Sequence, residues 1–230
     1  MQDAFIVSAL RTPIGKKKGA LSSMHPADLG AVVLSATFDQ VPLDPGLVED
    51  VIFGCVDTVG PQAGDIARTC WLAAGLPEHV PGTTIDRQCG SSQQAVHFAA
   101  QAIMSGTSDV IVAGGVQNMN LIPISYAMLA GQALGFSDPF SGSKGWVKRY
   151  GNKEVSQFNS AQMIAEKWKI SRLEMENYAY QSHQKAINAI EKGLFNNEIV
   201  PVGDFSIDET PRAETSLEKN GLFKSVNRGT

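Results

Sequence analysis

Cysteine, histidine and charge are all scarce in this chain, and each scarcity removes a class of function. The three cysteines of the 230 residues, Cys55, Cys70 and Cys89, are odd in number and have neither metal-ligand nor C-x-x-C spacing. They offer no disulfide framework and no metal site, and they fit a reducing compartment such as the cytoplasm. Charged residues make up 18% of the chain, and 19 basic against 23 acidic residues leave a formal net charge of −4. That balance gives no electrostatic case for binding nucleic acid. The run Lys16-Lys17-Lys18, between Gly15 and Gly19, reads as a solvated loop. No apolar run approaches the roughly 18 residues needed to span a bilayer. MQDAFIVSALRTP has too short an apolar stretch, and too early an arginine in Arg11, for a secretory signal.

What is present suits a globular α/β protein. Apolar residues make up 43% of the chain, enough at this length for a substantial core. Short β-branched runs at 4–8 (AFIVS), 50–56, 83–86 and 108–115 read as buried strands. They alternate with helical patterns at 26–38, 64–76 and from Cys89 to Met104. That alternation predicts a mainly parallel sheet covered by helices on both faces. Beyond Asn118 the chain turns loop-rich, then gives two amphipathic helices, SQFNSAQMIAEKWK and SRLEMENYAYQSHQKAINAIEKG. Ser171 and Glu174 form a capping box at the start of the second, and Gly193 closes it. EIVPV, 198–202, reads as a short strand, and the tail from Gly203 to Thr230 is polar and irregular. The division predicted is an α/β core over 1–120 and a mostly helical insertion with its return segment over 121–230.

The chemistry concentrates at TTIDRQCGSSQQAVHFAAQAIMSG, 83–106. Cys89 lies between a strand and a helix, facing the positive end of the helix dipole and several unpaired backbone N–H groups. This setting stabilises a thiolate nucleophile, and the same N–H groups suit an oxyanion on a bound carbonyl. A small buried residue at a tight turn would occupy the same position, so the residues alone leave both readings open. A thiol nucleophile also needs a proton acceptor. Of the four histidines, His25 and His79 lie in loops, His97 is two helical turns beyond Cys89, and His183 belongs to the later helix pair. None reads as a base for Cys89.

RTPIGKKKGAL, IDRQCGSSQQA, AGGVQNM, SQFNSAQMIAEKWKISR, GLFNNEIVPV and DETPRAETSLE, in that order, resemble the thiolases, and the resemblance runs from Phe5 to Thr230. It implies a layered α-β-α core with an inserted, mostly helical loop domain that covers coenzyme A. It also implies that Cys89 attacks the keto carbonyl of a 3-ketoacyl-CoA and carries the acyl group until CoA accepts it; the reverse is a Claisen condensation. Arg212 matches an arginine at the nucleotide end of CoA, and Ser156-Gln157 stand near the bound thioester. CoA is then a co-substrate, with no permanently bound cofactor and no metal. The partners implied are acyl-CoA substrates and further copies of the chain, as a homodimer or tetramer.

Three departures from the thiolase pattern carry expectations of their own. Ser156-Gln157 replace a His-Met pair of many short-chain members, which suggests longer, branched or ring-bearing acyl groups. Gln117 stands where glutamate is usual, and its amide can keep a hydrogen bond but cannot act as a base. The family's G-H-P histidine and second acid/base cysteine have no counterpart in these residues. The expectation is that a C-terminal half, as more of the same chain or as a second polypeptide, supplies them, and that residues 1–230 alone do not form a stable monomer. The alternatives are a non-catalytic CoA-binding or structural subunit, a degenerate half-thiolase, and a ketoacyl synthase of the same superfamily. The loop-domain motifs argue against the last.

Overall fold

Proline has a φ suited to a helix and lacks the N–H that a first turn leaves unpaired. In the computed structural model, which describes residues 2–216, Pro26 accordingly opens helix α1, Pro26–Gln40, and the His25 Nδ1 accepts the Ala27 N–H at 3.1 Å. The alternation continues with β1 (Asp50–Gly54), α2 (Ile66–Ala73), β2 (Gly82–Ile85), α3 (Ser91–Ser105) and β3 (Ile111–Gly115). The three strands are parallel in the order β2-β1-β3, with Val51 beside Gly82 and Asp50 beside Ile111. A central strand must be apolar on both faces, and β1 is buried from Val51 to Gly54.

Side chains alternate across a strand, and β1 shows what each face meets. Val51 and Phe53 join the main core with Leu34 of α1 and with Ile66, Cys70 and Trp71 of α2. Gly54 points the other way, onto the first turn of α3. Helices therefore cover both faces, the layered α-β-α arrangement that the resemblance implies. In the core, Trp71 is fully buried, donates its indole N–H to the Pro77 carbonyl at 2.8 Å and meets Phe38 edge-on at 5.6 Å.

Two expected strands do not form. Residues 4–8 pair with no strand among the described residues, and Phe5, Ile6 and Val7 are 75–79% exposed. A strand exists only through its ladder, and propensity without a partner leaves an apolar segment in water. Residues 198–202 make only isolated bridges, Ile199 to Arg11 and Val202 to Phe205. The polar tail is irregular as far as Ser216, and 217–230 lie outside the described residues.

The described chain forms two compact units, 2–139 with 197–209, and 140–196 with 210–216. The first contains the sheet and a short helix, α4 (Tyr126–Ala130); the second contains α5 (Lys144–Tyr150), α6 (Gln157–Trp168) and α7 (Arg172–Glu191). Both halves of the capping box at Ser171 and Glu174 are made, and Lys192 caps the end of α7, followed by Gly193 at φ +64°.

Arg11 ties the return segment 197–209 to the N-terminal loop. Its guanidinium forks onto both oxygens of Asp208, at 2.7 and 3.0 Å, and its Nε reaches Glu198 at 2.6 Å. Burial raises the Asp208 pKa, but its bonds from Arg11 and the Ile14 N–H outweigh this and hold the carboxyl below its ordinary value. A depressed pKa stabilises the fold above the unfolded value, and the contribution fades as pH falls through the folded one. Arg11→Ala is therefore expected to cost about 2–3 kcal/mol in denaturant unfolding near neutral pH. Its gap to the parent should narrow below about pH 4. A gap that does not change with pH would show that Asp208 is not the group at stake.

Candidate active site

The loops that follow β1 and β3 are held by buried amides. Asn118 donates to the Leu21 and Met24 carbonyls at 3.1 and 2.8 Å, and its N–H reaches Gln62 Oε1 at 2.8 Å. Gln62 in turn donates to the Asp57 carbonyl at 2.9 Å. The Asp57 carboxylate, 2% exposed, accepts the Ser125 and Ala127 N–H groups, both at 2.8 Å. Gln117 Oε1 accepts the Val56 N–H at 3.0 Å and lies 3.5 Å from the Cys55 thiol. In this place it joins two strand ends.

Cys89 stands on the frame these loops complete, between the end of β2 and the first turn of α3. The chain reaches it through Gln88, which has φ +50°. Residues other than glycine take this left-handed conformation only where their surroundings hold them there. Gln88 has such support, with its N–H on Asp86 Oδ1 at 2.7 Å and its carbonyl accepting from the Ser91 hydroxyl at 2.6 Å. Two glycines bring the helix start against the sheet. A Cβ on Gly54 would lie 2.2 Å from the Ser92 nitrogen, and one on Gly115 would lie 2.0 Å from Ser92 Oγ. Among the described residues the backbone N–H groups of Ser92 and Gln93 have no hydrogen-bond partner.

The three thiols differ in setting. Cys89 is exposed, whereas Cys55 and Cys70 are buried. Burial, helped by Asp57 and Asp86, pushes the Cys55 pKa up to about 11, and burial pushes Cys70 up to about 12. Both remain neutral packing groups at physiological pH. Thiolate chemistry needs access, and Cys89 is the cysteine that has it. His25 bonds to Ala27 two residues on, His79 Nε2 lies 3.0 Å from the distant Gly46 carbonyl, and His183 Nδ1 accepts the Arg212 N–H at 3.2 Å. Among the described residues no group of three or more His, Cys, Asp or Glu is placed to hold a metal, and no helix is long and apolar enough to cross a membrane.

The remaining sequence candidates lie in the second unit. Ser156 is the N-cap of α6, its hydroxyl accepting the Asn159 N–H at 3.4 Å, and Gln157 is the exposed first residue of that helix. Arg212 is exposed, and its backbone is held by His183 of α7. Sequence reasoning missed the left-handed Gln88 and the two glycines, because neither shows until the helix and strand ends are brought together.

A parallel sheet flanked by helices, with an exposed cysteine at the start of the helix that presses on the central strand, defines the class as an α/β protein presenting a thiol at a helix N-terminus. The chain belongs to the thiolase family: residues 4–228 match the family described as thiolase, N-terminal domain. It is 57% identical over its whole length to the steroid 3-ketoacyl-CoA thiolase of Mycobacterium tuberculosis, of which it covers 57%. It is 36% identical to the 3-oxoadipyl-CoA/3-oxo-5,6-dehydrosuberyl-CoA thiolase of Escherichia coli, matching over 95% of this chain and 58% of that protein. The crystal structure of the Bacillus anthracis acetyl-CoA acetyltransferase superposes with a TM-score of 0.78 at 31% identity, covering 97% of this chain and 59% of that one. The chain thus spans between 57% and 59% of the length of these relatives.

Proposed function

We propose that this chain is the cysteine-bearing part of a thiolase-type acyltransferase that cleaves 3-ketoacyl-CoA through an acyl group on Cys89, or runs the reverse Claisen condensation. The observation that carries the reading is the exposed thiol at the start of α3, in a chain of this family. In the proposed reaction the Cys89 sulfur bonds to the keto carbon and the bond from that carbon to C2 breaks. The electron pair leaves as the enolate of acetyl-CoA, which takes up a proton. The thiol of a second CoA then attacks the Cys89 thioester, losing its proton and releasing the sulfur. Backbone N–H groups at the start of α3 suit the oxyanion that each attack creates. CoA is a co-substrate here, and no resident cofactor is needed.

Two protons move in this cycle, and the described histidines that hydrogen-bond do so away from Cys89. We infer that further polypeptide, continuing this chain or separate from it, brings the acid/base groups, and that the working form is a homodimer or tetramer. The helical unit holds CoA through Arg212, whose planar guanidinium suits phosphate and stacks on adenine, with Ser156 and Gln157 near the thioester. Arg212→Ala is accordingly expected to raise the KM for CoA about ten- to a hundredfold with kcat little changed, the loss of a charge-assisted bond. Equal loss in kcat and kcat/KM would move Arg212 to the reacting end. The acyl groups are bulky or ring-bearing rather than acetoacetyl, in keeping with Ser156-Gln157 and with the name of the Mycobacterium relative. A higher kcat/KM for acetoacetyl-CoA would reverse that assignment.

The reading is tested by an intact-mass spectrum taken seconds after mixing the protein with a 3-ketoacyl-CoA. An acyl increment that maps to the peptide holding Cys89 is expected. An unmodified Cys89 in protein that binds CoA would instead favour a non-catalytic CoA-binding subunit.

A further inference from the structure

The turn that carries Cys89 is closed by two side chains, Asp86 on the Gln88 N–H and Ser91 on the Gln88 carbonyl. Ser91 is 3% exposed, while Cys89 two residues earlier stands in solvent. The Ser91 hydroxyl donates to the Gln88 carbonyl at 2.6 Å and accepts the Arg87 N–H at 2.9 Å. The Ser91 N–H reaches the same Gln88 carbonyl at 3.1 Å, and the Gly90 N–H reaches the Arg87 carbonyl at 3.1 Å. The peptide entering Cys89 is therefore gripped from the helix side, and Gln88 is held at φ +50°.

We propose that Ser91 is a positioning residue for Cys89: its hydroxyl locks the Arg87–Ser91 turn with Gln88 left-handed, and so sets the direction in which the Cys89 thiol leaves the helix start. The proposal rests on reading Cys89 as the acyl acceptor, but its effect on the thiol shows without any acyl-CoA. A side chain with a Cβ leaves the left-handed region once its supports are removed. Without the hydroxyl, the Arg87 N–H loses its acceptor and the Gln88 carbonyl keeps one donor of two. The turn then relaxes toward ordinary φ, carrying the thiol off the line that faces the free N–H groups of α3. Nothing in this chain of contacts touches substrate, so binding is spared.

The test uses the whole protein and two readouts, the rate of Cys89 alkylation by iodoacetamide and the rate of Cys89 acylation by a 3-ketoacyl-CoA. Ser91→Ala is expected to slow both at least fivefold, with KM within twofold of the parent. Gln88→Val attacks the same turn from an exposed position and is expected to slow both, because a β-branched residue resists φ above zero. Asparagine tolerates that region, so Gln88→Asn in the Ser91→Ala background should recover most of the loss, which a merely structural role for Ser91 would not allow. Should Ser91→Ala fail to fold, Gln88→Val and Gln88→Asn decide by themselves. Parent rates in Gln88→Val, or no recovery in the double variant, would overturn the proposal. If the parent's Cys89 takes no acyl group, the thiolase reading fails, and the iodoacetamide rates still judge the turn.

Discussion

Replacing Cys89 with alanine is expected to leave the protein folded and to lower acyl transfer by a factor on the order of 10⁴ or more. The two halves of that expectation have different grounds. Cys89 is exposed, and a surface exchange away from caps and packed contacts usually stays within about 0.5 kcal/mol. The proposed reaction has no route around the missing sulfur, since the acyl group must be held while acetyl-CoA leaves and CoA enters. The contrast is Cys70, fully buried, whose sulfur lies 2.4 Å from where a Cβ on Gly30 would stand. Changing Cys70 should lower Tm and leave kcat of the folded fraction alone. Rates of 3-ketoacyl-CoA loss and melting curves on both variants separate the two roles. A Cys89→Ala protein keeping a tenth of the parent rate would end the covalent reading.

Gly54→Ala is expected to damage the site from beneath. Its new methyl would sit 2.2 Å from the Ser92 nitrogen and 2.3 Å from the Ser91 carbonyl carbon, both backbone atoms of the first turn of α3. Flexible side chains can step aside, but a helix start cannot, so the helix must shift by about an ångström to restore ordinary contact. Overpacking of this kind typically costs about 1–3 kcal/mol. Displacement by about 1 Å at a reacting group can cost around 10²-fold in rate. The expected signature is a lowered Tm together with slower acylation of Cys89, in a protein that still contains its sheet by circular dichroism. A parent-like acylation rate in Gly54→Ala would mean the helix start has slack that the structure does not display.

Much of the fold was readable from local signals. Pro26 at the first position of α1, the capping box at Ser171 and Glu174, and the step from Thr83–Ile85 into an apolar helical period are written within a few residues of where they act. The strand expected at 4–8 shows the limit of such signals. AFIVS has the composition, but pairing depends on a neighbour remote in sequence, and Phe5, Ile6 and Val7 stay in water. The position of Cys89 at a strand-to-helix junction was legible; the manner of its support was not. Gly54 and Gly115 look like ordinary strand-end glycines until the end of the sheet meets α3, and Gln88 has no side-chain feature that announces a left-handed backbone. Likewise Arg11 has the look of a surface arginine until Asp208, 197 positions away, closes on it.

That last contact has a consequence for the order of assembly. Arg11 leaves the ribosome 187 residues ahead of Glu198. At translation rates of about 5–20 residues per second the N-terminal loop waits roughly 10–40 s for its partners. Closing so long a loop adds little more entropy than closing one half its length, so the delay is set by synthesis rather than by thermodynamics. The helices of residues 140–196 emerge within that interval, while the loop around Arg11 is still unclamped. During biosynthesis the Arg11 loop is thus fastened only after the helices of 140–196 have been made, and the exposed Phe5–Val7 beside it wait through the same interval.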